Sequence, residues 1–290
     1  LAGATLLGLL LIRRRPYPGR FRRLFSRVTL MKTADALLGP PACWALGYAL
    51  FLVRGRSKSM RSADKLRQAR RILIIRPGGM GDMIVLLPVI RHLQATLPLA
   101  RIDILCESRN MKVLHIAGLA SQAIAYDHMP LRMVLRLARG RYDVAIDSEQ
   151  FHNFSAIMAL FARAPVRIGF KTNPARNHIY THLVDYAPDG AETIQFGKLL
   201  EPFALPGVLP DLDSLLTEAP LPGIGANLTA GIDDSRGLIV IACGSSTPYK
   251  LWPPERFAEL ITRLQARHAM RVALIGSTDD RRAAGAVITC

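Results

Sequence analysis

The stretch that decides the fold is Arg71–Asp82, which reads RILIIRPGGMGD. Its first part, Arg71–Ile75, is a nearly continuous apolar run of the kind that forms a buried parallel strand. A glycine-rich loop follows, and the apolar pattern of Ile84–Leu97 predicts a helix that ends near Pro98. A strand, a glycine loop and a helix in this order predict the opening unit of an α/β fold, in which ligands bind beyond the carboxyl ends of the strands.

The same alternation continues as far as residue 203. The predicted strands are Arg101–Cys106, Ala123–Tyr126, Tyr142–Asp147 and Val166–Gly169. The predicted helices are Met111–Ala117, Leu131–Ala138, Phe154–Ala162 and Thr193–Phe203. Strands that alternate with helices imply a parallel sheet with right-handed crossovers. Residues 173–186 show no regular pattern.

A second α/β unit follows a segment rich in proline, glycine and aspartate. We interpret this segment, Leu205–Asp234, as an interdomain linker. Beyond it, LIVIA at Leu238–Ala242 and RVALI at Arg271–Ile275 predict strands on either side of a helix over Pro254–Arg267. A doubly wound domain needs roughly 100 residues, so we expect the second domain to be incomplete in this chain.

Residues 1–70 differ in composition from the rest of the chain. They contain 15 of the 38 basic residues and two of the 22 acidic ones, so +13 of the net charge of +16 belongs to them and +3 to the remainder. Their apolar runs, Leu1–Ile12 and Ala36–Val53, are flanked by arginine and lysine. This pattern favours an anionic membrane surface as the partner. Nucleic acid is disfavoured, because exposed aromatic residues at stacking spacing are missing.

The run Ala36–Val53 is borderline for crossing a bilayer, which takes about 20 residues. Gly39 and the pair Pro40-Pro41 lie inside it and weaken the case for an unbroken helix. We therefore expect an interfacial or shallowly inserted anchor, with a membrane span or a helical cap on the folded domain as alternatives.

The four cysteines, Cys43, Cys106, Cys243 and Cys290, lie far apart and form no CxxC pair. This spacing argues against a disulfide scaffold and against a zinc site. We expect buried thiols in a reducing compartment.

The glycine loop after the first strand is the strongest candidate for a functional site. Gly78, Gly79 and Gly81 would let the backbone approach a ligand and would expose amides at a helix amino terminus. Asp82 follows them, and the alternative interpretation is that it only caps the helix. The loop is not the dinucleotide fingerprint, because Ile84 stands where that motif needs a glycine, and no Gly-Lys-Ser/Thr makes it a Walker A loop.

A second loop, CGSSTPYKLWP over Cys243–Pro253, occupies the equivalent place in the second unit. Small hydroxyl residues and one lysine before a helix suit a diphosphate, since Ser246 and Thr247 can donate to phosphate oxygens and Lys250 can neutralise charge. The alternative is that Lys250 is an ordinary exposed lysine and that Trp252 serves packing.

Taken together, the two loops resemble glycosyltransferase family 9, the bacterial heptosyltransferases of lipopolysaccharide core assembly. The resemblance is carried by RILIIRPGGMGDMIVLLPVIRHLQATLPLARIDIL and LIVIACGSSTPYKLWPPERFAELITRL. In the family a Gly-Asp pair precedes a helix with proline, and a Lys-x-Trp precedes a helix with Phe-Ala. The matching positions here are Gly81, Asp82, Pro88, Lys250, Trp252, Phe257 and Ala258.

The resemblance implies a GT-B fold, with two Rossmann-like domains that have parallel sheets and face each other across a cleft. Residues 71–222 would form the acceptor domain and residues 223–290 the start of the sugar-nucleotide domain, preceded by a basic and apolar helical extension over residues 1–70. Asp82 would be the general base, and Lys250, Ser246 and Thr247 would stabilise the leaving diphosphate.

The reaction that the resemblance implies is inverting and uses neither a metal ion nor a cofactor. The donor would be a nucleotide sugar, with ADP-heptose favoured, and the acceptor a lipid-linked saccharide such as the inner core of lipopolysaccharide. The place would be the cytoplasmic face of the inner membrane. The alternatives are an NAD-type oxidoreductase on the same layout and a non-catalytic membrane-associated scaffold with a degenerate transferase fold.

Overall fold

A computed structural model describes residues 27–54, 62–119, 123–127, 130–217, 237–245, 250–268, 271–276 and 280–289. The chain divides into two compact units, Leu1–Leu221 and Pro222–Cys290.

The first unit is built on one sheet of six parallel strands in the order β3-β2-β1-β4-β5-β6. The order reverses between β1 and β4, and such a reversal opens a crevice at the carboxyl ends of the two strands. The strands are β1 Arg71–Arg76, β2 Arg101–Cys106, β3 Ala123–Ala125, β4 Val144–Asp147, β5 Val166–Phe170 and β6 His182–Val184.

Helices connect these strands and cover both faces of the sheet, as the predicted alternation requires. They are α1 Arg27–Arg54, α2 Ala63–Arg67, α3 Met80–Thr96, α4 Met111–Ile116, α5 Pro130–Arg139, α6 Asn153–Phe161, α7 Pro174–Asn177, α8 Glu192–Lys198 and α9 Leu212–Thr217. The sequence missed α2, α7, β6 and α9, the last of which lies inside the segment interpreted as a linker, because elements of five, four, three and six residues are too short to show a period.

Strand β1 lies at the centre of two hydrophobic layers. Ile72 and Ile74 point into one core cluster, whereas Leu73 and Ile75 point into the other, and all four are fully buried. Each such side chain stabilises the fold by about 1.5–3 kcal/mol relative to exposure. The central strand therefore holds its last residues, and the loop that follows them, in a fixed place.

Helix α3 begins four residues earlier than the apolar pattern predicts. Its N-cap is Gly79, whose backbone is extended, and the amide of Met83 donates to the carbonyl of Gly79. Asp82 consequently lies inside the first turn. The alternative interpretation of Asp82 as the N-cap is wrong.

Helix α1 packs against α6 and α7 of the first unit. Its buried residues are Asp35, Gly39, Cys43 and Gly47, spaced four apart on one face. A Cβ at Gly39 would lie 2.6 Å from the Cβ of Asn153, so the glycines permit this close approach.

The helix runs unbroken through Pro40 and Pro41, and the expectation of an interruption there is wrong. Burial of the packed face outweighs the poor helix propensity of these residues. Across the described part of the chain, no helix combines the length and apolar character that crossing a membrane requires.

The second unit contains a pair of parallel strands, β7 Leu238–Ala242 and β8 Arg271–Ile275. Helix α10, Pro254–His268, joins them, and α11, Arg281–Thr289, follows β8. The strand–loop–helix–strand order predicted for this region is confirmed.

Candidate active site

Asp82 lies where the fold favours ligand binding, in the first turn of α3 beside the point at which the strand order reverses. Its side chain is 48% exposed, and its Oδ2 atom lies 2.8 Å from Nη2 of Arg76. No second hydrogen bond to this carboxylate comes from the residues that the structure describes. The site therefore presents a carboxylate that is fixed on one side and open on the other.

Arg76, the last residue of β1, holds that carboxylate. It is 4% exposed, and its Nη1 atom donates to the carbonyl of Ser148 at 2.7 Å and to Oε1 of Gln150 at 3.3 Å. The guanidinium lies 5.2 Å from the ring centre of Phe196. Through these contacts Arg76 links β1 to the loop after β4.

The sequence pattern alone assigned no role to Arg76. The available signal was a charged residue at the end of an otherwise apolar strand, since arginine is almost never buried unless it is paired.

The three glycines of the first loop differ in their structural roles. Gly78 has a φ of +129°, which disfavours any side chain, and its carbonyl accepts a hydrogen bond from Nδ2 of the buried Asn110. Gly79 is the N-cap of α3. A Cβ at Gly81 would meet nothing within 4 Å, so packing does not require glycine there.

A buried cluster orders the loop after β4. Tyr180 donates its hydroxyl to Oδ2 of Asp147 at 2.6 Å, and Nη2 of Arg176 lies 2.9 Å from the same oxygen. Arg176 also donates to the carbonyl of Glu149. Burial raises the pKa of Asp147, and the Arg176 guanidinium opposes that effect. The cluster fixes the start of the loop whose Ser148 carbonyl holds Arg76.

The end of the same loop is fixed from outside the sheet by Asp35 of helix α1. Its carboxylate accepts the backbone amides of Asn153 at 3.0 Å and Phe154 at 2.6 Å, and so caps α6. Burial alone would raise the pKa of Asp35, but hydrogen bonds from His152 and from these two amides outweigh it and lower the pKa below its ordinary value. Helix α1 thus supports the loop whose Ser148 carbonyl holds Arg76.

The loop after β7 is described in part. Cys243 is buried, and a Cβ at Gly244 would lie 2.1 Å from Cγ of Asp280, so a side chain at this position would require Asp280 to move. Lys250 is exposed, and Trp252 packs edge-on against Phe257 with ring centres 4.9 Å apart. Ser246 and Thr247 lie outside the described residues.

The described cysteines are buried and free. Burial raises the pKa of Cys43 to about 11 and that of Cys106 to about 12, so both thiols stay protonated at neutral pH. Within the ranges described above, no group of three His, Cys, Asp or Glu side chains is arranged to hold a metal ion.

Several solved structures share the fold of this chain. A glycosyl transferase family 9 protein from Veillonella parvula DSM 2008 superposes with a TM-score of 0.59 at 19% identity, over 76% of this chain and 67% of that one. The E. coli heptosyltransferase WaaC with ADP gives 0.56 at 18% identity, over 76% and 72%. The E. coli ADP-heptose lps heptosyltransferase II gives 0.54 at 23% identity, over 76% and 68%. These likenesses establish the α/β fold of GT-B glycosyltransferases.

No curated protein matches the sequence. The sequence profile of glycosyltransferase family 9 (heptosyltransferase), in contrast, matches residues 131–289, which is more than half of the chain. The match includes the loop that carries Lys250, whereas the loop that carries Asp82 lies outside it. This match excludes the oxidoreductase alternative. The chain belongs to glycosyltransferase family 9, the heptosyltransferase family.

Proposed function

We propose that the protein is an inverting, metal-independent glycosyltransferase that moves a heptose from ADP-heptose onto a lipid-linked saccharide such as the inner core of lipopolysaccharide. The observation that carries this proposal is the half-exposed carboxylate of Asp82, held by the buried Arg76 at the crevice of a parallel sheet. Membership of the family supports the reaction class. A structural likeness to an enzyme with ADP and to an ADP-heptose enzyme points to the donor.

In this mechanism Asp82 is the general base. Its carboxylate takes the proton of the acceptor hydroxyl while the hydroxyl oxygen attacks the anomeric carbon of the donor. The bond from that carbon to the diphosphate oxygen breaks, ADP leaves with the electron pair, and attack from the opposite face inverts the configuration. Arg76 occupies Oδ2, so the acceptor proton goes to Oδ1.

Stabilisation of the leaving diphosphate belongs to the second unit in this proposal. Lys250 is exposed on the loop after β7, where its ammonium can reach a negatively charged ligand. Ser246 and Thr247 would donate hydrogen bonds to phosphate oxygens, and helix amino termini would add partial positive charge in place of a metal ion. Residues 71–222 would hold the acceptor, and residues 223–290 the donor.

We also propose that the basic segment, residues 1–70, rests on the anionic cytoplasmic face of the inner membrane. Helix α1 buries its small residues against the first unit and leaves large apolar side chains exposed, among them Leu37 at 69%, Leu38 at 62% and Tyr48 at 65%. Such a face between basic segments suits an interface where a lipid-linked acceptor is presented. Replacing these three residues by serine should weaken binding to phosphatidylglycerol vesicles at least about tenfold. Unchanged sedimentation with vesicles would contradict the anchor.

A donor panel tests the catalytic proposal. The protein is incubated with heptose-free lipopolysaccharide acceptor and ADP-, UDP- or GDP-sugars in buffer with EDTA, and the product is analysed by NMR. We expect transfer from ADP-heptose with inversion at the anomeric carbon. A product with the donor's configuration, a requirement for added divalent metal, or transfer only from another sugar nucleotide would each contradict the corresponding part of the proposal.

A further inference from the structure

The amino-terminal edge of the six-stranded sheet carries a cavity that the proposed reaction does not use. Its volume is about 470 Å³, and its cationic lining comes from five arginines: Arg71, Arg101, Arg132, Arg136 and Arg139. Arg71 opens β1, and Asp82 follows the end of the same strand. Six strand residues separate the two ends by roughly 20 Å, so the cavity is distinct from the catalytic crevice.

Three elements, two strands and a helix, bring these arginines together. Arg71 and Arg101 are partners in the register of β1 and β2, so they start adjacent strands. The other three arginines lie on α5, at positions four and then three residues apart, which puts them on one helix face. Helix α5 ends just before β4, and its carboxyl end therefore reaches the edge at which β1 and β2 begin.

One carboxylate organises the sheet side of the cavity. Asp103 is 3% exposed, accepts the hydroxyl of Tyr142 at 2.8 Å, and lies 3.1 Å from Nε of Arg101 and 3.8 Å from Nη2 of Arg71. Among the residues that the structure describes, Nε of Arg71 is buried and has no hydrogen-bond partner, as is also true of Nε of Arg76 at the other end of the strand. A buried donor without a partner is costly, and an oxygen ligand would satisfy it.

The helix side has no such counter-charge. No ion pair joins Arg132, Arg136 or Arg139 to an acidic residue in the part of the chain that the structure describes. Like charges three and four residues apart on a helix repel each other and destabilise it. The last-turn positions of Arg136 and Arg139 offset the helix dipole, but that effect explains neither Arg132 nor the two arginines of the sheet.

We propose that this arginine cavity binds a phosphate-bearing polyanion. Guanidinium groups match phosphate oxygens with paired hydrogen bonds, and five arginines against one aspartate leave an excess of four positive charges in the lining. The volume suits a ligand of the size of a phosphorylated sugar or a lipid headgroup. The chemistry is the same for a soluble polyphosphate and for a lipid phosphate, and the experiment separates them.

The test uses inorganic tripolyphosphate as the soluble probe on the full chain. Phosphatidylglycerol vesicles are the lipid probe, on the full chain that carries Leu37→Ser, Leu38→Ser and Tyr48→Ser, so that the proposed α1 anchor does not mask the cavity. The variant is Arg132→Gln, Arg136→Gln, Arg139→Gln, which removes the charges at exposed helix positions without placing negative charge at the carboxyl end of α5. A matched control changes Arg267, Arg281 and Arg282 to glutamine, since these residues are also exposed and alter the net charge by the same amount. Calorimetry and vesicle sedimentation give the affinities.

We expect at least a 30-fold loss of affinity in the cavity variant and less than a threefold change in the control. Loss for tripolyphosphate indicates a soluble ligand, whereas loss for vesicles alone indicates a lipid phosphate. Equal behaviour of the two variants, or no binding by the unaltered chain, would overturn the inference.

A third variant, Lys250→Ala, keeps this result apart from the proposed function. If tripolyphosphate binding disappears in Lys250→Ala and survives in the cavity variant, the anion occupies the donor site. The cavity inference is then overturned, and the proposed diphosphate role of Lys250 is supported.

Discussion

The two ends of the six-stranded sheet use arginine in opposite ways. At the carboxyl end, Arg76 and Arg176 are buried, and each is matched to a single carboxylate, Asp82 and Asp147. At the amino end, five arginines line one cavity together with a single carboxylate, that of Asp103, which pairs with Arg71 and Arg101. A matched, buried arginine fixes the position of its partner, whereas an excess of arginine attracts a ligand. The first arrangement suits chemistry that depends on geometry, and the second suits binding.

The largest effect should come from breaking the fully buried pair at the carboxyl end. Arg176→Met leaves the Asp147 carboxylate without its cation, and loss of one partner of such a pair costs about 3–5 kcal/mol. Urea unfolding measures this change. The matched control is Arg109→Met, which removes an ion pair from the surface and should cost less than about 1 kcal/mol. Equal losses in the two variants would show that the buried cluster has no special structural role.

The variant Arg76→Met should slow turnover much more than it weakens binding of the donor. The Asp82 carboxylate loses its only described partner, and a misplaced base slows turnover on the order of 10²-fold. The affinity for the donor, measured by calorimetry with ADP, should change less than threefold. Arg67→Met, which removes an exposed pair with Asp64, serves as the control with normal turnover. Normal turnover in Arg76→Met would show that Arg76 does not position the Asp82 carboxylate for the reaction.

The cap that helix α1 supplies to α6 gives a pH test. The pKa of Asp35 is lowered in the folded state, so its contribution is present above the unfolded pKa and is lost as the pH falls through the folded pKa. Asp35→Ala should lower the free energy of unfolding at pH 7 by about 1–2 kcal/mol. Asp35→Asn keeps a capping side chain but cannot titrate.

The free energy of unfolding of Asp35→Asn should therefore fall less steeply than that of the unaltered chain between pH 4 and pH 2. Identical slopes in acid unfolding experiments would mean that Asp35 titrates normally.

The smallest effect concerns Gly81, where stability and function should move in opposite directions. Alanine meets no neighbour there, and it should stabilise helix α3 by about 0.5–1 kcal/mol. If the acceptor uses this open face, Gly81→Ala should nevertheless raise KM for the acceptor several-fold. A variant that is both more stable and fully active would show that the acceptor does not approach this face.

The sequence predicted much of the fold because its strands are short apolar runs with clear boundaries, as at Arg101–Cys106 and Leu238–Ala242, where the observed bounds are identical. It did not predict the course of α1 through Pro40 and Pro41, since tertiary packing overrides propensity at that helix.

For the candidate site, the glycine loop and Asp82 were visible as a local pattern, but the partners of Asp82 were not. The contacts between Arg76 and Ser148 and between Asp35 and Asn153 join residues 72 and 118 positions apart. No local period encodes such contacts. The arginine cavity was hidden for the same reason, because its cations come from two strands and a helix.

The most direct test of the central claim is the rate of transfer by Asp82→Asn, measured as ADP release together with donor affinity. Asparagine has nearly the shape of aspartate but cannot accept the acceptor proton. The account therefore predicts that transfer slows by a factor on the order of 10²–10⁴, while the affinity for ADP changes less than about threefold. The control Asp64→Asn, at an exposed position of helix α2, should leave both properties unchanged. Transfer by Asp82→Asn at the rate of the unaltered chain would contradict the role of Asp82 as the base.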